Sequence, residues 1–444
     1  MRWRELLQPA TLSSGGNALF YNAFAALTTG IFLNDYLLRL GFTPFDFGVM
    51  YALLSITGFV AFPFSFYAGS IEWKKTFFLA FHFAALGCFL LFVCAPYMPG
   101  LGTRGMIWLS IVSLGLFSII SGIGRLVLVP WLFSVVGNAS WYSFYLVRMV
   151  ISYSVPVAAL LLFRGMLDHG GVGVMSMLFF IALAMGTLGV VAMMLFPPSV
   201  REEGGEQRDR LGDIVRTMLG NRGFLATIVF GILLAFATGL FAPAAFPYLI
   251  KEVGIASSTV SLYQIVMTAA SVLSVFLITH ISRRYGSVSA LLRLSCIMWA
   301  VPALLLAVKL SAVVVTPFLF ALGVMDGYGL VFAGMYVTVM NILLQLAPPR
   351  NRVVYLASFE FVKAIFMSLG SFVSGLIADR PGTFAFGGVS LGPYELIFAL
   401  SLAFMAAALL VAVLGRKAML GEASAEAAPQ AAGQRGAVSK QARK

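Results

Sequence analysis

The sequence predicts an all-α membrane protein with twelve transmembrane helices in two pseudo-symmetric six-helix bundles. Three observations carry that expectation: the composition, the number and length of the apolar runs, and a weak internal repeat. Of 444 residues, 60% are hydrophobic and 10% charged, where a soluble domain carries about 25% charged residues. Mean hydropathy is +0.96. Such a chain cannot cover itself with polar surface, so its outside must face lipid.

Crossing a hydrocarbon core of about 30 Å takes roughly 20 apolar residues. The chain offers twelve such runs, at 17–38, 47–68, 76–95, 106–128, 141–163, 172–196, 223–248, 259–280, 288–308, 313–345, 354–378 and 395–414. The tenth is long enough to require tilt. Backbone polar groups in lipid must be paired within the segment, so each run is expected to be a helix.

The connections between runs carry the charge. With the N-terminus placed in the cytoplasm, 19 Lys and Arg fall on the inner side and 6 on the outer side, and the other 4 lie within helices. This asymmetry predicts that both termini are inside. It also accounts for the net charge of +12 without nucleic acid. The expected layout is a cytoplasmic N-terminus (1–16), a first bundle (17–196), a cytoplasmic linker (197–222), a second bundle (223–414) and a disordered cytoplasmic tail (415–444). Residues 211–219 of the linker are weakly amphipathic, suited to lying on the inner membrane surface. The start of the chain has no signal-peptide pattern. Cys88, Cys94 and Cys296 sit in apolar runs without metal or disulfide spacing. His82 and His169 show no metal-ligand spacing, and no phosphate-binding glycine loop is visible. No cofactor or metal is expected.

The two halves resemble each other at an offset of about 210 residues. Tyr36-Leu-Leu-Arg-Leu-Gly41 ends the first run, and Tyr248-Leu-Ile-Lys-Glu-Val-Gly254 ends the seventh. Tyr145-Leu146 and Tyr355-Leu356 stand at the fifth and eleventh runs. A duplicated six-helix unit places a pseudo-two-fold axis, and room for a cavity, between the halves.

Over residues 17–414 this pattern resembles the major facilitator superfamily. The local pieces are Pro243-Ala-Ala-Phe-Pro247-Tyr248 at the end of span seven, Leu346-Ala-Pro348-Pro349-Arg-Asn-Arg352-Val-Val-Tyr355 leading into span eleven, and Arg148 on span five. The family's inner loop between spans two and three, G-x-x-x-D-R-x-G-R-R, corresponds to Gly69-Ser-Ile-Glu-Trp73-Lys74-Lys75, with Trp73 in place of the acid. Its second copy corresponds to Thr279-His-Ile-Ser-Arg283-Arg284-Tyr285-Gly286, with Arg283 in place of the acid. The resemblance implies gating roles for Gly69, Lys74, Arg284 and Gly286, and a cavity lined by spans one, four, seven and ten.

Ionisable groups inside a membrane are costly and usually face a cavity or a partner. Asp326, between Gly323, Gly327 and Gly329 near the middle of span ten, is a candidate cation or proton site; pairing with a neighbouring helix is the plainer alternative. Glu360 and Lys363, three apart on span eleven, share a face and are expected to neutralise each other. Arg125, near the inner end of span four, and Arg148, about two turns into span five, are candidates for an anionic solute or an inner latch, with snorkelling as the alternative. Asp35, near the outer end of span one, reads as a solvated interfacial acid or as a gate residue. Asn22, Tyr263, Gln264, Tyr336 and Asn341 add polar lining. Small pairs such as Ser371/Gly375 read as helix contacts.

The expected activity is secondary transport of a small solute across the cytoplasmic membrane by alternating access, with protons as a candidate coupling ion. The partners are then the lipid bilayer and the solute, and a monomer is expected. A non-transporting sensor or assembly factor on the same fold is the alternative. A membrane enzyme would need a constellation of reactive side chains at one depth, and the sequence shows none.

Overall fold

The first apolar run folds as two helices, α1 (Pro9–Thr28) and α2 (Gly30–Arg39), separated by Thr29. Gly30 has φ +58°, a left-handed conformation that costs side-chain-bearing residues about 1–2 kcal/mol. The structure is a computed structural model that describes residues 9–68, 71, 73–169, 171–198, 216, 219–307, 332–346, 352–386 and 389–420.

Span two is α3 (Pro44–Ser55) and α4 (Thr57–Ala68). Its start is fixed by a capping box, in which Thr43 and Asp46 each bond the other's backbone N–H. Arg104 adds two bonds to the buried Asp46 carboxylate, each 3.0 Å. Spans three and four are α5 (Lys74–Cys94) and α6 (Thr103–Arg125). Span five is α7 (Leu128–Phe163), which begins well before the expected residue 141. The run from Leu126 to Val136 is apolar except for Ser134, and its proline, Pro130, falls in the first turn, where a missing N–H costs no helical bond. Trp131 is fully buried there and donates from Nε1 to the Pro197 carbonyl at 2.9 Å. A short α8 (Met166–His169) leads to span six, α9 (Val172–Met194).

In the second half, span seven is α10 (Arg222–Pro247), followed by a wide π-helical turn at Tyr248–Glu252. Spans eight and nine are α11 (Ser257–Tyr285) and the split pair α12 (Ser287–Ile297) and α13 (Ala300–Ala307). Of span ten, α14 (Phe332–Leu346) is described. Spans eleven and twelve are α15 (Arg352–Ala378) and α16 (Pro393–Leu414). Between them lies an antiparallel hairpin of β1 (Phe384–Phe386) and β2 (Val389–Leu391), which the all-α expectation did not include. Its sequence signal is Gly387-Gly388 between Phe384-Ala-Phe386 and Val389-Ser-Leu391.

Eight stretches of the described residues are long and apolar enough to cross a membrane. The remaining expected spans are carried by α1–α2, α7, α11 and α14. Large apolar side chains stand exposed in helical stripes: Trp108, Val112 and Leu116 on α6, and Leu369, Phe372 and Leu376 on α15. Exposed stripes of this kind suit a lipid solvent.

The repeated tyrosines occupy matching places. Tyr36 is fully buried with its ring 4.9 Å from Phe179 of span six. Tyr248 is fully buried with its ring 5.1 Å from Phe398 of span twelve. The glycines that follow them, Gly41 and Gly254, both adopt positive φ, at 86° and 76°.

Candidate functional site

Where the two halves meet, the packing changes character from one end to the other. The end carrying Asp35, Arg39 and Asp168 is the one the charge asymmetry assigns to the outside, and is termed the outer end. There Asp35 is buried, not solvated. Its Oδ2 accepts from Arg39 Nε at 2.6 Å, and its Oδ1 accepts from Ser257 Oγ of the second half at 2.6 Å. Arg39 also donates to the Leu167 carbonyl. Asp168 accepts from the Ser258 backbone N–H at 3.2 Å. Two acids of the first half thus receive the first residues of α11, whose leading N–H groups have no partners within their own helix.

One step inward, Gln264 of α11 enters the break in span one. Its Oε1 accepts from the Ile31 N–H at 2.6 Å, so a side chain of the second half caps a helix of the first. A Cβ on Gly30 would collide with that amide. Asn34 donates to the Gly30 carbonyl at 2.7 Å and to Tyr51 Oη of span two at 2.9 Å. Gly30→Ala is therefore expected to lose both the φ the break needs and the Gln264 cap, about 2 kcal/mol together. Thermal unfolding of the purified protein measures this. Gly30→Ala with Gln264→Ala should be less destabilised than the sum of the single changes, because the collision is gone.

Along spans two and eleven the halves touch backbone to backbone. A Cβ on Gly48 would come within 2.6 Å of Gly375 Cα. Ser368 Oγ donates to the Ala52 carbonyl at 2.6 Å. The small-residue reading of Ser371/Gly375 fits this seam. Further inward the contact is aromatic: Phe361 of α15 lies 5.0 Å from Phe59 and 4.8 Å from Phe62. Beside it, Lys363 Nζ pairs with Glu360 Oε2 at 2.5 Å, as the i, i+3 spacing implied.

The arginines do not form a shared inner site. Arg148 lies deep within α7, not about two turns from its start, and bonds the Ser14 carbonyl, Ser14 Oγ and Asn17 Oδ1 at 2.8–2.9 Å. Asn17 in turn donates to the Gly189 carbonyl at 2.9 Å. Arg148 therefore ties spans one, five and six of its own half. Arg125 is exposed, and among the described residues its polar contacts are with Ser121, at 3.4 and 3.5 Å.

The other lining candidates are spread out. Asn22 bonds Ser152 Oγ of span five at 3.1 Å. Tyr263 is buried against Phe246, ring centroids 5.6 Å apart. Asn341 is half-buried on α14. Tyr336 lies on α14 with its side chain outside the description, and Asp326 and Gly69 lie outside the described residues. Lys74 is buried at the start of α5. Arg284 is exposed with its guanidinium 5.4 Å from the Tyr285 ring. Gly286 closes α11 at φ +82° and makes the tight turn into α12, with its N–H reaching the Ser282 carbonyl at 2.9 Å. No group of three metal-ligating side chains occurs among the described residues.

Sequence reasoning missed Arg39, Ser257, Ser258, Asp168 and the break at Gly30. The spacing of four between Asp35 and Arg39 was a usable signal. The cross-half partners leave none.

Residues 227–442 match the family described as Major Facilitator Superfamily. Comparison with curated protein sequences returns no match. Among solved structures the fold is similar to the nucleoside transporter NupG (TM-score 0.66, 15% identity, covering 93% of this chain and 99% of that one). It is similar also to a bacterial homologue of the iron transporter ferroportin in the inward-facing state (TM-score 0.62, 11% identity, 94% and 99% covered). A bacterial homologue of the human lysosomal transporter Spinster, inward-facing and occupied, gives a TM-score of 0.64 at 12% identity, with 94% and 98% covered. The second half thus matches the Major Facilitator Superfamily, and the fold of almost the whole chain is similar to that of these solved transporters.

Proposed function

We propose that this secondary transporter moves a small solute across the cytoplasmic membrane by alternating access, and that the arrangement described is its outer-closed state. The observation that carries the reading is the distribution of polar contacts between the halves. Asp35–Ser257, Asp168–Ser258 and Ile31–Gln264 gather at the outer end, while Phe59 and Phe62 against Phe361 form an apolar contact further in. Hydrogen bonds gathered toward one end can be exchanged for solvent when that end opens, with modest net cost per bond.

The bundle boundaries 17–196 and 223–414, both termini in the cytoplasm, and a monomer complete the proposal. Protons are the proposed coupling ion. Asp35 is the described acid best placed for it, because protonation would weaken its hold on Arg39 and Ser257 together. The structures that share the fold are named for nucleoside and iron transport, so the fold leaves the solute open.

The test is flux into proteoliposomes for a panel of nucleosides, amino acids, organic acids and divalent cations, with and without a proton gradient. Saturable flux of at least one solute is expected, accelerated by the gradient. Absence of flux across the panel, with one end inaccessible to impermeant thiol reagents under all conditions, would overturn transport in favour of a sensor on this fold.

A further inference from the structure

The ion pair on α15 satisfies only part of its carboxylate. Lys363 Nζ reaches Glu360 Oε2 at 2.5 Å, yet Glu360 Oε1 is buried with no hydrogen-bond partner among the described residues. A buried acceptor left empty is costly, so it marks a place where a donor belongs.

The helix surface shows which way the pair faces. Leu369, Phe372 and Leu376 form the exposed apolar stripe of α15. Glu360 precedes Leu369 by two and a half turns, which puts it on the opposite side of the helix. On one flank, Ala364 and Phe361 meet Gly58, Phe59 and Phe62 of the first half; on the other, Phe359 meets Gly231 of span seven. Glu360 and Lys363 keep 33% and 29% of their side-chain surface accessible in this position. That surface opens between the halves and not toward lipid.

We propose that Glu360 is the solute's anchor, and that the solute is a small net-neutral molecule presenting an N–H or O–H donor beside an apolar or aromatic body. Glu360 Oε1 accepts the donor, and Phe62 and Phe361 hold the apolar part. Net neutrality follows from the pair itself: Lys363 already cancels the carboxylate, so a solute with net charge would bring an uncompensated charge into the membrane interior. An uncharged donor, or a zwitterion carrying its own balance, does not. The assignment rests on the transport reading above and names the solute class for it.

The experiment is flux and its competition in proteoliposomes of the full chain with four aromatic probes: an uncharged nucleoside, a zwitterionic aromatic amino acid, an aromatic amine and an aromatic carboxylate. The uncharged and zwitterionic probes should be carried or compete at least tenfold better than the amine and the carboxylate. Glu360→Ala should raise KM at least tenfold with kcat changed much less. Glu360→Gln with Lys363→Met keeps an acceptor and restores neutrality, so it should recover a substantial part of that loss and keeps the test open if Glu360→Ala does not fold. Flux by the wild type with KM unchanged in both variants would overturn the anchor while leaving transport standing. Preference for the amine or the carboxylate would overturn the solute class. Absence of flux for all four probes and for the wider panel would overturn the transport reading itself, and the anchor with it.

Discussion

Asp35→Ala should shift the protein toward an outward-open arrangement and lower flux at least tenfold. The side chain of Asp35 is 5% exposed and that of Arg39 29%. Removing one member of a buried pair costs about 3–5 kcal/mol, because the survivor keeps its desolvation without its partner. Arg39 retains some solvent and the Leu167 carbonyl, so about 2 kcal/mol is the better figure here. The Ser257 bond goes too, and it crosses between the halves. Asp35 and Arg39 share one helix, so the part of the penalty that falls only on the outer-closed state is the Ser257 bond; a hydrogen bond to a charged group is worth about 2 kcal/mol, which moves the two-state balance roughly thirtyfold. Asp35→Asn separates the contributions: it keeps an acceptor for Ser257 and loses only the charge on Arg39, so its shift should be smaller. The measurement is outside labelling of Thr259→Cys by an impermeant maleimide, with Cys88, Cys94 and Cys296 replaced by Ser. Labelling at the wild-type rate in Asp35→Ala would remove Asp35 from the outer seal.

The spans were legible because a run of about 20 apolar residues is a strong local signal that needs no knowledge of partners. The Glu360–Lys363 pair was legible for the same reason, since a spacing of three fixes neighbours on one helix. The break at Gly30 was not, because Thr28-Thr29-Gly30 lies inside an apolar run and glycine is frequent in membrane helices. What shows it is Gln264, more than 200 residues away in sequence. Asp35 stayed open between a solvated acid and a gate residue for a similar reason: Ser257 becomes its neighbour only once the halves are docked. Arg148 illustrates the reverse case. A cation in a span suggested an anionic solute or an inner latch, and the partners the fold gives it, Ser14 and Asn17, lie at or beside the polar lead-in, which had been set outside the first bundle. Local chemistry was readable; which halves and helices shared it was a property of the tertiary fold.

Gly48→Ala tests whether the seam between spans two and eleven must close for transport. The two backbones approach so nearly that a Cβ on Gly48 would stand 2.6 Å from Gly375 Cα and 2.8 Å from the Ser371 carbonyl oxygen. Those atoms belong to the main chain of α15, so no rotamer change relieves the overlap; the helices must move apart. Overpacking of this kind costs about 1–3 kcal/mol. It falls on the outer-closed state and not on a state in which the seam has opened, so the expected result is a shift of roughly five- to hundredfold toward outer access, with flux lowered to match. Ser368 should lose its 2.6 Å bond to the Ala52 carbonyl in the same movement. Gly375→Ala meets Gly48 Cα from the other side, at 2.8 Å, and should act alike, while the double change should fall short of the sum because one separation accommodates both methyl groups. Paired spin labels on the outer ends of α3 and α15 report the distance directly. If that distance and the flux both stayed at wild-type values in Gly48→Ala, the close approach would be incidental to the cycle. A longer distance with flux intact would mean that solute passes without the seam closing, and alternating access about this interface would have to be abandoned.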